Sequence, residues 1–198
     1  DVAAHDAWGR ALGRPLHQLL GGCRRTEFDL TWMVSVADPN AAEDAVAQGL
    51  SAGYTAFDIK VGMHGARGDL DLVRRTRIAA PDHVLLVDAN RAYRIDAALR
   101  LARQFEDLGV HHFEQPLDGL NLSGYRRLVA ASPVPIALDE SLRAVPDLIE
   151  YIRADAIGGL GGIEQPAQVA QHRLAQLRLA HDALALGLDT LGRRIIGQ

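Results

Sequence analysis

Four short apolar runs in the middle of the chain each end in an ionisable side chain. They are Thr55-Ala-Phe-Asp-Ile-Lys-Val-Gly62, Val84-Leu-Leu-Val-Asp-Ala-Asn90, His111-His-Phe-Glu-Gln-Pro-Leu117 and Pro135-Ile-Ala-Leu-Asp-Glu-Ser141. Their length, their apolar content and the turn residues after them read as buried strands. Between them the apolar spacing changes to a helical period. It predicts helices from about Asp69 to Ala79, Ile95 to Leu108, Leu122 to Ala131 and Val145 to Ala154. In the second of these, Ile95, Ala98, Leu99, Ala102, Phe105 and Leu108 share one face, and Gly109 ends it. Met63 to Gly68 reads as a polar, glycine-bearing loop, and Pro146 is tolerable in a first helical turn. Upstream, Val2 to Leu12 has a helical period, Pro15 to Gly22 a short helical turn, and Phe28 to Val36 the content of a first strand. Asp38-Pro39 then opens a helix to about Leu50, with Asp38 as N-cap and proline at the first position.

Strands alternating with helices through short linkers imply parallel strands joined by right-handed crossovers. Lys60, Asp88, Glu114 and Asp139 close the four apolar runs at steps of 28, 26 and 25 residues. That period is one strand, one helix and two loops, as in a TIM-type (β/α) barrel, whose active site gathers residues from the C-terminal strand ends. The α/β pattern weakens downstream. Ala154-Asp155-Ala156-Ile157 is a short sixth strand by this reading, and Gln165 to Leu186 one long helix. The count is about six βα units, where a closed barrel needs eight. Either the chain is a fragment, a reading its lack of an initiating Met favours, or it borrows the missing wall from another chain, or it has rearranged. A homo-oligomer is expected.

Composition narrows the class without naming a function. The 198 residues are 48% apolar and 23% charged with a net charge of −4, which offers no global attraction to nucleic acid or to anionic membranes. No apolar run approaches the roughly 20 residues that cross a bilayer. The first residues have neither the basic flank nor the apolar block of a signal peptide. The single cysteine, Cys23, cannot form an internal disulfide, so a cytoplasmic location is expected.

The strand ends carry the chemistry. Asp88, Glu114 and Asp139 would form an all-oxygen cage suited to a hard divalent ion such as Mg²⁺. Asn90, two residues past Asp88, would lie on the same side and could reach substrate or a group behind it. Glu140 points away from Asp139 and would orient a neighbouring charge. Lys60, in a partly dry pocket beside a divalent cation, should have a lowered pKa and become available as a base. A single acidic residue after a strand is usually a loop residue or a helix cap. Three at a regular step on apolar strands, with a lysine beside them, are not predicted by capping. His111 and His112 precede Glu114 and should face the barrel bottom or the helices. His64 reads as a solvated loop residue, and Trp8, Trp32 and the helix leucines as core. The Gly158 to Gly162 run resembles a phosphate loop but lacks the following lysine.

These residues carry a family resemblance. Ala4-His-Asp-Ala-Trp-Gly-Arg-Ala-Leu-Gly-Arg-Pro-Leu-His-Gln-Leu-Leu-Gly-Gly22, Ile59-Lys-Val-Gly62, Val87-Asp-Ala-Asn90, Phe113-Glu-Gln-Pro-Leu117 and Leu138-Asp-Glu-Ser141 resemble the enolase superfamily, in its mandelate racemase/muconate lactonizing enzyme branch. The resemblance implies that Asp88, Glu114 and Asp139 are Mg²⁺ ligands and that Lys60 is the second lysine of a Lys-x-Lys motif. It implies racemase, epimerase, cycloisomerase or acid-sugar dehydratase chemistry on a small carboxylate. It also implies that residues 1–25 are the last helix and linker of an N-terminal capping domain, and that residues 26–198 are an incomplete barrel domain. Three departures stand out. Asp58 occupies the place of the first lysine and reverses a charge that usually faces the substrate carboxylate. No lysine follows Lys60, so an acid/base from strand six is missing. Strands seven and eight have no clear counterpart.

The sequence therefore predicts a Mg²⁺-dependent lyase or isomerase that removes the proton α to a substrate carboxylate. One-sided chemistry with Lys60 suits syn-elimination better than racemisation. The alternative is a catalytically inactive remnant that serves as a binding or assembly module.

Overall fold

The computed structural model describes residues 2–23, 27 and 30–157. Helices α1 (Val2–Leu12) and α2 (Leu16–Leu19) lead to strand β1 (Trp32–Val34). There follow α3 (Ala42–Ser51), β2 (Ala56–Lys60), α4 (Gly65–Ala79), β3 (Val84–Asp88), α5 (Ile95–Asp107), β4 (Val110–Glu114), α6 (Leu122–Ala131), β5 (Ile136–Ala137) and α7 (Val145–Arg153). The five strands form one parallel sheet in chain order, β1-β2-β3-β4-β5. Strand-helix alternation in this order is that of a partial (β/α) barrel.

Register explains why the apolar runs look as they do. Val34, Ile59, Val87, Phe113 and Ile136 are partners along one row, and Trp32, Phe57 and Leu85 along the row before it. This face packs under the helices. Phe113 meets Phe105 of α5 edge to face at 5.0 Å, and Gly49 of α3 rests on β1 and β2. A methyl group at Gly49 would lie 2.7 Å from Trp32 Cγ and 2.8 Å from Phe57 Cε1, so α3 sits this close only because the position is glycine. Alternate residues point to the other, concave face: Met33, Asp58, Leu86 and His112 in one row, and Lys60, Asp88, Glu114 and Ala137 in the next.

Most boundaries follow their local signals. Asp38 Oδ1 accepts the Asn40 N–H at 3.0 Å and caps a 3₁₀ turn, Pro39–Ala41, that runs into α3. Asn121 caps α6 through the Gly124 N–H at 3.0 Å. α4 begins at Gly65, inside the stretch expected to be loop. The reason is Asp69, a fully buried carboxylate in its first turns. Asp69 Oδ1 accepts the N–H of Gly62 at 2.9 Å and of His64 at 3.2 Å, so the chain must coil tightly around it. Gly62 completes the turn with a φ of 100°, and a side chain there would strike Ala92.

Residues 154–157 are a turn and not a sixth strand. Ala154 caps α7, Asp155 has a φ of 51°, and the Ala156 N–H bonds back to Tyr151 O at 2.9 Å. Helix-end hydrogen bonding outcompetes extension in so short an apolar run. The Gly158 to Gly162 run and the helix expected from Gln165 to Leu186 lie outside the described residues, as do Phe28 and Asp29 of the expected first strand. Trp8 is 45% exposed on α1 and is not core, because α1 packs mainly on α2. Among the described residues no helix is long and apolar enough to cross a membrane.

The two ends of the sheet are tied differently. At the N-terminal end, the Arg77 guanidinium donates to the carbonyls of Ala80, Pro81, His83, Leu108 and Gly109 at 2.8–3.1 Å, joining the approaches to β3 and β4. At the C-terminal end, the Tyr93 hydroxyl donates to Asp69 Oδ2 at 2.8 Å and ties the loop after β3 to the loop after β2. His64 Nε2 reaches Val36 O at 3.0 Å and brings in the loop after β1, so this histidine is a tether.

Two tests follow from this packing. Phe113→Ala should cost about 3–5 kcal/mol in urea unfolding, the range for a buried phenyl ring, whereas a loss below about 1 kcal/mol would contradict a core role. Burial, then the bond to Asp69, pushes the Tyr93 hydroxyl above its ordinary value. The folded chain then holds a proton that the unfolded chain releases near pH 10, so stability should be level below that pH and fall above it. Tyr93→Phe should weaken the fold at neutral pH by about 1.5–3 kcal/mol. It should also make the alkaline decline shallower by at most one proton, about 1.4 kcal/mol per pH unit. An unchanged alkaline slope would remove Tyr93 from this account.

Candidate active site

Asp58, Lys60, Asp88 and Glu114 share one face of the sheet near its C-terminal strand ends. Lys60 pairs in register with Asp88, and Asp88 with Glu114. In-register neighbours on parallel strands are about 4.8 Å apart, so the three side chains stand in one row. Lys60 Nζ donates to Asp88 Oδ2 at 2.6 Å and pairs with Asp58 Oδ2 at 2.9 Å. Asp58 lies two residues before Lys60 on the same side of β2. Asp88 is 2% exposed, and its second oxygen accepts the Asn90 N–H at 2.8 Å. A buried carboxylate is tolerable only with such partners.

The charge state of Lys60 departs from expectation. Burial alone would lower its pKa, but the hydrogen bonds to Asp88 and then Asp58 outweigh burial and raise it. The sequence argument for a lowered value treated a neighbouring cation as the dominant charge, while the actual neighbours are two carboxylates. Asp58 is itself pushed up, by burial first, against the opposing pull of Lys60. Its Oδ1 is buried without a hydrogen-bond partner among the described residues.

Glu114 lies beside His112, whose Nε2 is 3.6 Å from Glu114 Oε2. His112 is thus on the concave face, contrary to the expectation that it faces the barrel bottom or the helices. The cause is the period of two along a strand: His112 lies two residues before Glu114 and pairs with Leu86, inside the regular part of the β3–β4 ladder. Leu85 pairs with Val110 and Leu86 with His112, so His111 is an extra residue and the alternation below it is offset. Asp139 lies beyond the end of β5, exposed, with its N–H donated to Gln115 Oε1 at 2.9 Å. Glu140 Oε1 pairs with Arg91 Nε at 3.1 Å. The side chain of Asn90 is exposed, and its backbone is left-handed, with a φ of 42°.

Left-handed backbone recurs at these strand ends. Asn90 and Arg91 follow Asp88 with φ of 42° and 69°, and Gln115 follows Glu114 with a φ of 39°. Such conformations cost free energy in residues other than glycine and persist where the surroundings dictate them. Here the loops are laced by Arg91 N–H to Gln115 O at 2.7 Å and Tyr93 N–H to Pro116 O at 3.0 Å. Asp69, Tyr93 and Gln115 therefore position the site, and the sequence reading missed all three. Gln115 stood inside the quoted Glu-Gln-Pro motif, but a neutral side chain gave no chemical signal.

Chemically, Asp88 and Glu114 at the ends of β3 and β4 and Asp139 just past β5 are hard oxygen donors, the donor type that suits a small divalent cation. They are not gathered into a finished cage. Among the described residues no group of three or more His, Cys, Asp and Glu is placed to hold a metal ion. The Lys60 ammonium serves as the cation on Asp88, and Asp139 lies exposed beyond the end of β5. The donor set fits a divalent ion, and the side chains would have to turn together to take one.

Comparison with known proteins agrees with this fold. Residues 40–166 match the family model described as enolase C-terminal domain-like. The chain is 31% identical to muconate cycloisomerase 1 of Rhodococcus opacus over 94% of its length and 52% of that enzyme's. It is 30% identical to the L-Ala-D/L-Glu epimerase of Bacillus subtilis (strain 168), over 86% of this chain and 50% of that one. The crystal structure of muconate cycloisomerase from Pseudomonas fluorescens superposes with a TM-score of 0.76 at 30% identity, covering 92% of this chain and 50% of that one. The chain thus spans about half the length of the relatives it matches. It belongs to the enolase superfamily, in the mandelate racemase/muconate lactonizing branch.

Proposed function

We propose that this chain carries the acid/base and ion-binding half of a Mg²⁺-dependent lyase or isomerase that moves the proton α to a substrate carboxylate. The observation that carries the reading is the single row of Lys60, Asp88 and Glu114 at the C-terminal ends of neighbouring parallel strands. Asp88, Glu114 and Asp139 would hold the ion. When bound, it would polarise the substrate carboxylate and acidify the adjacent C–H. Relatives named as cycloisomerases, an epimerase and a racemase support chemistry of this class.

Lys60 is the proton-transfer group. As held between Asp58 and Asp88 it is an ammonium, and so a proton donor. It becomes a base only when that grip loosens, because both carboxylates favour its charged form. Lys60 alone serves one face of a substrate, which suits elimination and return of a proton on the same side. Asp58 adds a negative charge beside Lys60, so a carboxylate group of the substrate is better placed away from β2. The second reading, a remnant that binds without turnover, is favoured by the Asp58–Lys60–Asp88 grip.

Calorimetry with Mg²⁺ and exchange of the substrate α-hydrogen in deuterated buffer, across a panel of acid sugars and dipeptides, separate the two. An enzyme should bind Mg²⁺ and exchange the hydrogen, and Lys60→Ala should reduce exchange by about 10²–10⁴-fold, the usual worth of a positioned acid/base. Equal exchange in wild type and Lys60→Ala would dispose of Lys60 as the base. Metal binding without exchange on any substrate would favour the remnant.

A further inference from the structure

We infer that Gln115 is the positioning residue that fixes the backbone of Asp139 against the strand carrying Glu114, so that one buried amide sets the spacing of two carboxylates. This rests on the reading of Asp139 and Glu114 as ion ligands. Gln115 is fully buried, and its left-handed backbone turns the chain directly after Glu114. Its own N–H makes the last backbone bond to β5, to Ala137 O at 2.9 Å. Past that point the side chain continues the connection. Oε1 accepts the N–H of Asp139 at 2.9 Å and of Ser141 at 3.3 Å. Nε2 donates to Leu117 O at 3.1 Å, and lies 2.6 Å from the Tyr125 hydroxyl and 2.5 Å from Ser141 Oγ.

Only one orientation of the amide satisfies these partners. The Asp139 and Ser141 amides can only donate and the Leu117 carbonyl can only accept, so a flipped amide would oppose donor to donor and acceptor to acceptor. The Tyr125 hydroxyl locks the arrangement by donating to Leu117 O at 2.7 Å. Gly119 makes room for it, since a side chain at that position would collide with Ser141. β5 has only two residues, so its ladder cannot hold Asp139 in place. The amide supplies what the short strand lacks. Side chains that hold ligand-bearing segments in this way strongly affect ion affinity.

The test combines amide hydrogen exchange with Mn²⁺ titration on the full chain. In wild type the Asp139 amide, although in a loop, should exchange as slowly as the Gln115 backbone amide in the sheet. Gln115→Met has similar length and no polar atoms. It should speed Asp139 exchange by about tenfold, one lost hydrogen bond, and weaken Mn²⁺ binding by about 10–100-fold. Ser141→Ala removes one neighbour of Nε2 and leaves the Asp139 bond to Oε1 in place, so it should keep most of both properties. Fast Asp139 exchange in wild type would overturn the proposal, even should Gln115→Met fail to fold. So would a folded Gln115→Met with wild-type exchange and affinity, or a Ser141→Ala that behaves like Gln115→Met. Absence of Mn²⁺ uptake by wild type would overturn the ion-ligand reading instead, with exchange still judging the link between Gln115 and Asp139.

Discussion

The in-step pairing of β2, β3 and β4 is the constraint on which this site depends. Parallel strands in register place residues with one orientation side by side, and here that places Lys60, Asp88 and Glu114 in one row. A slip of one residue in either ladder would send a charged side chain under the helices, into the company of Ile59, Val87 and Phe113. The apolar face thus enforces the polar one. Ile59, Val87 and Phe113 on the apolar face are fully buried and tolerate no charge, so the register that fills the core also fixes the row of ionisable groups.

Charge balance within the row is the second constraint. Asp88 is almost wholly removed from solvent, and Lys60 offsets what burial would otherwise cost. Asp58 competes for the same ammonium from its own strand. The two carboxylates make Lys60 a good counter-ion and a reluctant base. Any chemistry at this site must first redistribute that charge. Asp58 is the particular feature of this chain, since the resemblance leads one to expect a lysine there.

Much of the architecture was legible because it is written in period. The apolar runs gave β2, β3 and β4 within a residue or two, and the helical spacing gave α5 and α6, because residue orientation repeats with the geometry of each element. The local chemistry of Asp38-Pro39 marked a true start. What failed depended on contacts distant in sequence. α4 starts early because Asp69 gathers the N–H groups of Gly62 and His64. The sixth strand was an apolar run that helix-end bonding claimed instead. Arg77 and Gln115, each bonded to several backbone groups, had nothing in their surroundings to announce it. The acidic residues could be found from their spacing, but not the ammonium that occupies them.

The proposed function rests on one claim: carboxylates from three successive strand ends would turn to serve one divalent ion. Diffraction from crystals of this chain soaked in Mn²⁺, measured for the anomalous signal of manganese, tests it most directly. The account predicts a single strong peak within about 2.0–2.3 Å of oxygens from Asp88, Glu114 and Asp139, as for a small hard cation, with Lys60 turned from Asp88. A peak elsewhere, or none with Lys60 still on Asp88, would contradict it.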